Sequence, residues 1–166
     1  VSEITAARRC AFVVVRRVFE QGAYADRALQ SEAAGLDPKD RSLAMALAYG
    51  TVQRKGTLDF IAAKLVSGSL RRLEPAVLAA LRLGLFQLLF LGGVADHAAV
   101  NESVELAKRS SRGGATLVNA VLRRATREGP RILARLEDST VQGAAIKHSV
   151  PEWLAAKWFE ELGSEE

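Results

Sequence analysis

The sequence predicts an all-α fold. Three observations carry that prediction. Apolar residues recur at helical spacing through most of the 166 residues, only four of which are proline. Aromatic residues make up 6% of the chain while alanine and leucine are abundant, which leaves little of the aromatic and β-branched surface from which strands are built. Hydrophobic residues at 49% and charged residues at 25% supply a sizeable core and exclude a disordered tract. The length is that of one domain, or one domain with a short tail.

The elements follow in order. Residues 3–20 read as a first helix. At about 100° per residue, Ile4, Ala7, Ala11, Val14, Val15 and Val18 share one side. Arg8, Arg9, Arg16 and Arg17 occupy the other half, with Phe12 at its edge and Val13 inside it. Gln21-Gly22 ends this helix, and a short one over 24–34 ends at Gly35. Asp37-Pro38-Lys39-Asp40 is a helix start, with Asp37 as cap, Pro38 at the first helical position and Asp40 in the first turn. That helix runs through Leu43, Leu47 and Val52 to about Arg54, where Lys55-Gly56 interrupts it. Thr57 begins another, through Phe60, Ile61 and Leu65.

After a turn at Gly68-Ser69, Pro75 opens the most apolar stretch, with Leu78, Leu81, Leu85 and Leu88 in one stripe and Gly92-Gly93 as its stop. Its longest uncharged run, Leu83 to Ala95, falls short of the roughly 20 residues a bilayer requires. It is therefore expected to be a fully buried helix, not a membrane span. Asp96 caps a predicted helix over 97–109, and residues 110–114 form a polar loop. A helix over 115–127 sets Val118, Val121, Leu122 and Ala125 on one face and Arg123, Arg124 and Arg127 on the other. Gly129-Pro130 predicts a break. Short helices at about 130–137, 140–147 and 151–162 complete the chain. No strand, fixed-period repeat or low-complexity segment is expected.

Charge is unevenly distributed. Residues 1–136 hold 21 Lys and Arg against 12 Asp and Glu, whereas residues 137–166 hold 2 against 7. Of the 23 basic residues, 17 are arginine, whose planar fork of donors suits phosphate and stacks on bases. A basic body with an acidic tail points to a polyanionic partner, nucleic acid above all. The one cysteine excludes a disulfide framework and a cysteine-cluster zinc site, and with no secretory segment visible the expected location is cytoplasmic.

Most catalytic chemistries find no support. Gly50 to Thr57 has the lysine before the second glycine and a helix-to-helix context, so it is not a phosphate-binding loop. His97, His148 and Cys10 lack metal-ligand spacing, and Cys10 reads as a small packed hydrophobe. There is no G-x-S-x-G elbow, and the adjacency of His148 and Ser149 makes no triad. Glu102 and Glu105 share a helix face and read as solvated or capping residues. Gly92-Gly93 and Gly113-Gly114 sit between helices, not in the strand–turn–helix context of a dinucleotide or S-adenosylmethionine site. Asn101 and Asn119, within apolar helical patterns, are expected to make buried structural hydrogen bonds. Two basic patches remain as candidate RNA-binding surfaces: Arg8, Arg9, Arg16 and Arg17, where Val13 or Phe12 could add a stacking surface, and Arg123, Arg124 and Arg127.

Several segments together resemble a known family. Ala98 to Lys108, read AAVNESVELAK, followed by Leu117 to Arg124, read LVNAVLRR, resembles the NusB-like RNA-binding fold. Leu81 to Leu89, Ala48 to Val52, and the closing His148 to Leu154 with Trp158 and Leu162-Gly163 are similar to the N-terminal region of the Sun/Fmu family of ribosomal RNA 5-methylcytosine methyltransferases. The resemblance implies a NusB-like helical bundle of two three-helix subdomains plus C-terminal helices. It implies a NusB-like RNA-binding domain over 1–128 and, over 129–166, a helical extension leading toward a methyltransferase domain beyond Glu166. That domain would carry the catalytic cysteines and use S-adenosylmethionine; this chain would carry no catalytic residue, no metal and no cofactor.

Arg8 and Arg9 are carried across from the arginine-rich first helix of NusB, and Arg16 and Arg17 extend the patch by helical geometry. The partners implied are ribosomal RNA and the methyltransferase domain, with no membrane. A stand-alone NusB-type antitermination factor, binding RNA and protein partners, is the competing reading.

Overall fold

A computed structural model describes residues 3–163. Within them lie nine α-helices, one 3₁₀ turn at Leu70–Arg72 and no strand. The helices are α1 (Ala6–Gln21), α2 (Ala25–Glu32), α3 (Pro38–Gln53), α4 (Lys55–Leu65), α5 (Pro75–Phe90), α6 (Asp96–Lys108), α7 (Arg112–Ala134), α8 (Val141–His148) and α9 (Glu152–Leu162). Helices α1, α2 and α3 pack on one another as one three-helix unit, and α5, α6 and α7 as a second. Helix α4 bridges them to α8, which pairs with α9.

The expected buried helix is α5. Every residue from Ala76 to Gln87 except Leu78 is buried, because α1, α3, α4, α6 and α7 all pack against it. Leu81, Leu83 and Leu85 are fully enclosed, each contributing about 1.5–3 kcal/mol of transfer free energy. The helix comes so close to its neighbours at Gly84 that a Cβ there would fall 2.5 Å from Cδ1 of Leu122 on α7 and 2.9 Å from Oγ of Ser103 on α6. Two polar side chains are buried along with the leucines. Arg82 donates through Nε and Nη2 to Asp59 of α4 at 2.7 and 2.9 Å, and its guanidinium carbon lies 4.6 Å from the Phe19 ring centroid. Gln87 donates through Nε2 to the Leu83 carbonyl at 3.1 Å.

The caps bear out several sequence signals. Asp37 accepts from the Asp40 N–H at 2.8 Å, with Pro38 at the first helical position. Helices α3 and α4 are separated only by Arg54, whose guanidinium lies over the Phe90 ring at the end of α5. Asp96 begins α6 without capping it; Ala95 holds the cap position.

The largest difference from the sequence reading lies in α7. No polar loop ends at Gly114 and no break falls at Gly129-Pro130: one helix of 23 residues spans both. It begins early because Ser111 Oγ accepts from the Gly114 N–H at 3.0 Å. It runs through Pro130, and the glycine before that proline removes one of the obstacles. A Cβ at that position would clash with the proline ring in helical geometry, and here it would also meet Leu89 Cδ2 at 2.8 Å.

The C-terminal pair has its own small core of Ala144, Ala145 and Ala155, with Val141, Val150 and Phe159 packed on it. It is tied to α4 by Thr57 Oγ1, which donates to the Ile146 carbonyl, and by Ser149 Oγ, which accepts from the Gly56 N–H at 2.9 Å. No helix among the described residues is long and apolar enough to cross a membrane.

The Gly84 crossing yields a direct test. Gly84→Val forces a branched side chain between α6 and α7 and is expected to cost about 1–3 kcal/mol. The check is a lower urea midpoint at unchanged slope.

Candidate nucleic-acid interface

Helix α1 explains the fate of the first arginine patch. The sequence pattern shows one apolar side, and Ile4, Ala7, Ala11, Val14 and Val15 are indeed buried. The helix is nevertheless covered on a second side, because α5 and α6 pack on it as well as α2 and α3. Arg8 therefore does not stand on an exposed cationic face. It is only 7% exposed, donating through Nε to Gln87 Oε1 at 2.6 Å and through Nη1 to Glu102 Oε2 at 2.5 Å and Thr5 Oγ1 at 3.3 Å. Phe12 is buried too, so it offers no stacking face, and Val13 is half-buried.

Glu102 accepts from the Thr5 N–H at 2.6 Å through its other oxygen, so one carboxylate from α6 caps α1 and neutralises Arg8. The expected capping role of Glu102 is thus met from another helix, in a buried position and not a solvated one. Glu105 is half-buried near Lys108, at 3.9 Å.

The other three α1 arginines reach the surface in different states. Arg9 is exposed, with one bond to the Ile4 carbonyl and no acidic partner among the described residues. Arg16 forms a two-pronged pair with Glu20 one turn on, at 2.6 and 2.8 Å. That pair raises the Arg16 pKa and lowers the Glu20 pKa, in each case chiefly through the shared hydrogen bond. Arg17 reaches Glu32 of α2 at 3.2 Å.

The second patch is larger than the sequence suggests. Arg123 and Arg127 are exposed on α7; Arg123 donates to Asn119 Oδ1 at 3.0 Å, and Arg127 has no side-chain partner among the described residues. Arg124 turns aside, pairing with Glu128 and donating to the Leu65 carbonyl of α4 at 3.2 Å. Because α7 is continuous, Arg112 and Arg131 join the ridge. At about 100° per residue, Arg112, Arg123, Arg127 and Arg131 lie within an arc of roughly 100°. From Arg112 to Arg131 the ridge runs about 28 Å at 1.5 Å per residue.

Sequence reasoning missed Arg112 and Arg131 because it placed them in a loop and beyond a break. The Ser111 cap and the Gly-Pro order were the available signals. The two patches are not brought together: α5 and α6 stand between α1 and α7.

The remaining expectations resolve simply. Asn101 is exposed, not buried, because α6 turns that side to solvent; Asn119 serves Arg123. Cys10 is buried, and burial first, then the Glu32 carboxylate, push its thiol above the usual range. His148 and Lys147 both approach Asp138, at 3.1 and 3.2 Å, and these hydrogen bonds hold that carboxyl below its ordinary value. Among the described residues no group of three or more His, Cys, Asp or Glu side chains could hold a metal ion.

The family model for the NusB family matches residues 5–127. This chain belongs to the NusB family. The NusB fold is also what structural comparison returns. NusB from T. maritima superposes with a TM-score of 0.67 at 22% identity, covering 76% of this chain and 94% of that one. A chain in the structure described as "Crystal Structure of a Plectonemic RNA Supercoil" superposes with the same score at 25% identity, covering 72% and 90% respectively.

Sequence relatives are larger proteins. "Probable ribosomal RNA small subunit methyltransferase B" of Bacillus subtilis is 35% identical over 164 residues, which is 97% of this chain but 36% of that protein. "Ribosomal RNA small subunit methyltransferase B" of Thermus thermophilus is 40% identical over 121 residues, 72% of this chain and 26% of that protein. The NusB-family chain thus spans about a quarter to a third of the length of the curated relatives it matches.

Two outcomes are expected from this geometry. Glu102→Ala leaves Arg8 buried without its counter-charge and should cost about 3–5 kcal/mol in urea denaturation, whereas the double variant Arg8→Met/Glu102→Leu should recover most of it. Cys10 should resist a soluble thiol reagent in the folded protein and react at the rate of a free thiol only once denaturant unfolds it.

Proposed function

We propose that this chain is the RNA-docking part of an S-adenosylmethionine-dependent ribosomal RNA cytosine-5 methyltransferase, and that it holds ribosomal RNA for a catalytic domain that follows it. The observation that carries the reading is the extent of the match. A relative named for ribosomal RNA methyl transfer aligns over 97% of the chain, which takes in α8 and most of α9, whereas the NusB-family match ends at residue 127. A stand-alone antitermination factor gives no account of that continued similarity. A cytoplasmic location goes with the methyltransferase reading.

The mechanism is electrostatic docking. Arg112, Arg123, Arg127 and Arg131 on α7, with Arg9 on α1, carry positive charge to the surface, and each phosphate they neutralise releases counterions. Such contacts position the RNA without reading its sequence. Arg8 is left out of this role, since its donors are engaged with Gln87, Glu102 and Thr5. S-adenosylmethionine supplies the methyl group in such a reaction, but the described residues do not fit it: Gly92-Gly93 lies between α5 and α6, and Gly113-Gly114 in the first turn of α7, with no strand to build the turn it needs. The methyl transfer is therefore assigned to the separate domain.

The test is binding of a fragment of small-subunit ribosomal RNA across a salt series. The logarithm of affinity should fall linearly with the logarithm of salt concentration, and Arg127→Ala or Arg123→Ala should each make the slope shallower by about 0.7–0.9. Arg9→Ala should act in the same sense. Affinity indifferent to salt, or slopes unmoved by all three substitutions, would overturn the reading.

A further inference from the structure

Helix α3 presents a surface of another kind. From Ser42 to Gln53 it contains no charged residue, although Ser42, Met45, Ala46 and Gln53 are exposed. The outer sides of α1 and α7, by contrast, carry arginine. Between α3 and α2 lies an open groove of about 220 Å³, with Leu29 and Ala33 on one wall and Met45 and Tyr49 on the other. Met45 is 42% exposed, and Tyr24 at the start of α2 is 71% exposed. With Trp153 and Leu162 of α9 they are the large apolar side chains most open to solvent among the described residues. An uncharged helix face beside an apolar groove is the make-up of a contact surface.

The charges at the groove say what covers it. Asp26 stands in the first turn of α2, and Arg41 reaches the opposite end of that helix, donating to the Ala34 carbonyl at 3.4 Å. The two ends of α2 are about 10 Å apart at 1.5 Å per residue. Neither side chain has an ion-pair partner among the described residues, whereas Arg16 and Arg17 nearby pair with Glu20 and Glu32. One cation against one carboxylate offers a polyanion no net attraction, so this face has a different use from the α7 ridge. A groove with acid at one end, base at the other and an apolar middle is complementary to itself after a half turn. We propose that it joins two copies of the chain in an isologous dimer. Asp26 of each copy meets Arg41 of the other, and the two Met45 side chains meet at the axis. The unbranched thioether of methionine adapts to such a contact, and Ser42 and Ala46 are small enough to let the two α3 helices approach. Helix α7 packs within the other three-helix unit and on α4, so the arrangement does not use the arginine ridge, and the proposal is independent of the RNA-binding reading.

The experiment is sedimentation equilibrium of the chain over a concentration series, with a thermal melt of every variant to establish that it is folded. The expected result is a reversible monomer–dimer equilibrium. Met45→Glu sets two carboxylates against each other at the axis and should abolish the dimer, at little cost to a monomer in which residue 45 is exposed. Asp26→Arg and Arg41→Asp each set like charges together at two places and should weaken dimerisation by roughly tenfold. The double variant Asp26→Arg/Arg41→Asp restores opposite charges at both places and should recover most of that loss. Arg127→Ala should leave the dimer unchanged.

A chain that stays monomeric at every concentration would overturn the dimer and leave the face to a different protein. A dimer that survives Met45→Glu, or one weakened as much by Arg127→Ala as by Arg41→Asp, would place the contact elsewhere and overturn it too. So would a folded double variant that dimerises no better than the single ones. None of these outcomes bears on RNA docking, which is read separately from the salt dependence of binding.

Discussion

Helix α5 has almost no polar side, and a helix apolar all round must be enclosed all round. Five helices meet that demand, and the arrangement of the bundle follows from it. The same enclosure makes the two polar side chains of α5 costly unless each finds a partner. Arg82 is answered by Asp59 from α4 and by the face of Phe19 from α1. The Gln87 carbonyl is answered by Arg8, and Arg8 in turn requires Glu102. A chain of buried polar contacts thus links α1, α5 and α6, so that the two three-helix units are joined by directed bonds as well as by apolar contact.

That chain of contacts also shapes the cationic surface. It withdraws Arg8 from solvent, while Glu20 and Glu32 engage Arg16 and Arg17. What remains open on α1 is chiefly Arg9. Helix α7 has the opposite character. It packs on α5 and α6 along one side and keeps a long outer side free, where Arg123, Arg127 and Arg131 follow one another a turn apart and Arg112 stands three turns earlier. Unpaired guanidinium groups spaced along a rigid helix suit successive phosphates better than paired ones, since no internal ion pair must be broken first. The NusB family membership of the chain and its likeness to part of larger ribosomal RNA methyltransferases agree with a domain whose work is done at its surface.

Much of this was legible in the sequence because it depends on local pattern. The helical class, the caps at Asp37 and Pro38, the burial of α5 and the apolar side of α1 all follow from spacing and residue type within a few turns. So did the presence of arginine on the outer face of α7, and the absence of catalytic spacing among His97, His148 and Cys10. The family resemblance was carried by runs such as those in α6 and α7.

Tertiary structure alone decided which arginines are available. Helical periodicity assigns a side chain to a face, but it does not say how many neighbours that face will meet. Arg8 borders the apolar side of α1, about 20° from Val15 at 100° per residue, and its bonds to Gln87 of α5 and Glu102 of α6 take it out of solvent; Phe12, one turn on, is buried as well. Nor does the local pattern reveal that α7 continues through Gly129-Pro130, where Gly129 lies close to Leu89 of α5, and so brings Arg131 into line with Arg123 and Arg127. The sequence by itself determined where charge and apolar surface are placed along each helix. Whether a charge ends in solvent or in a buried pair depends on contacts between residues some 80 to 95 positions apart, such as Arg8 with Gln87 and Glu102, and these exist only once the bundle has closed.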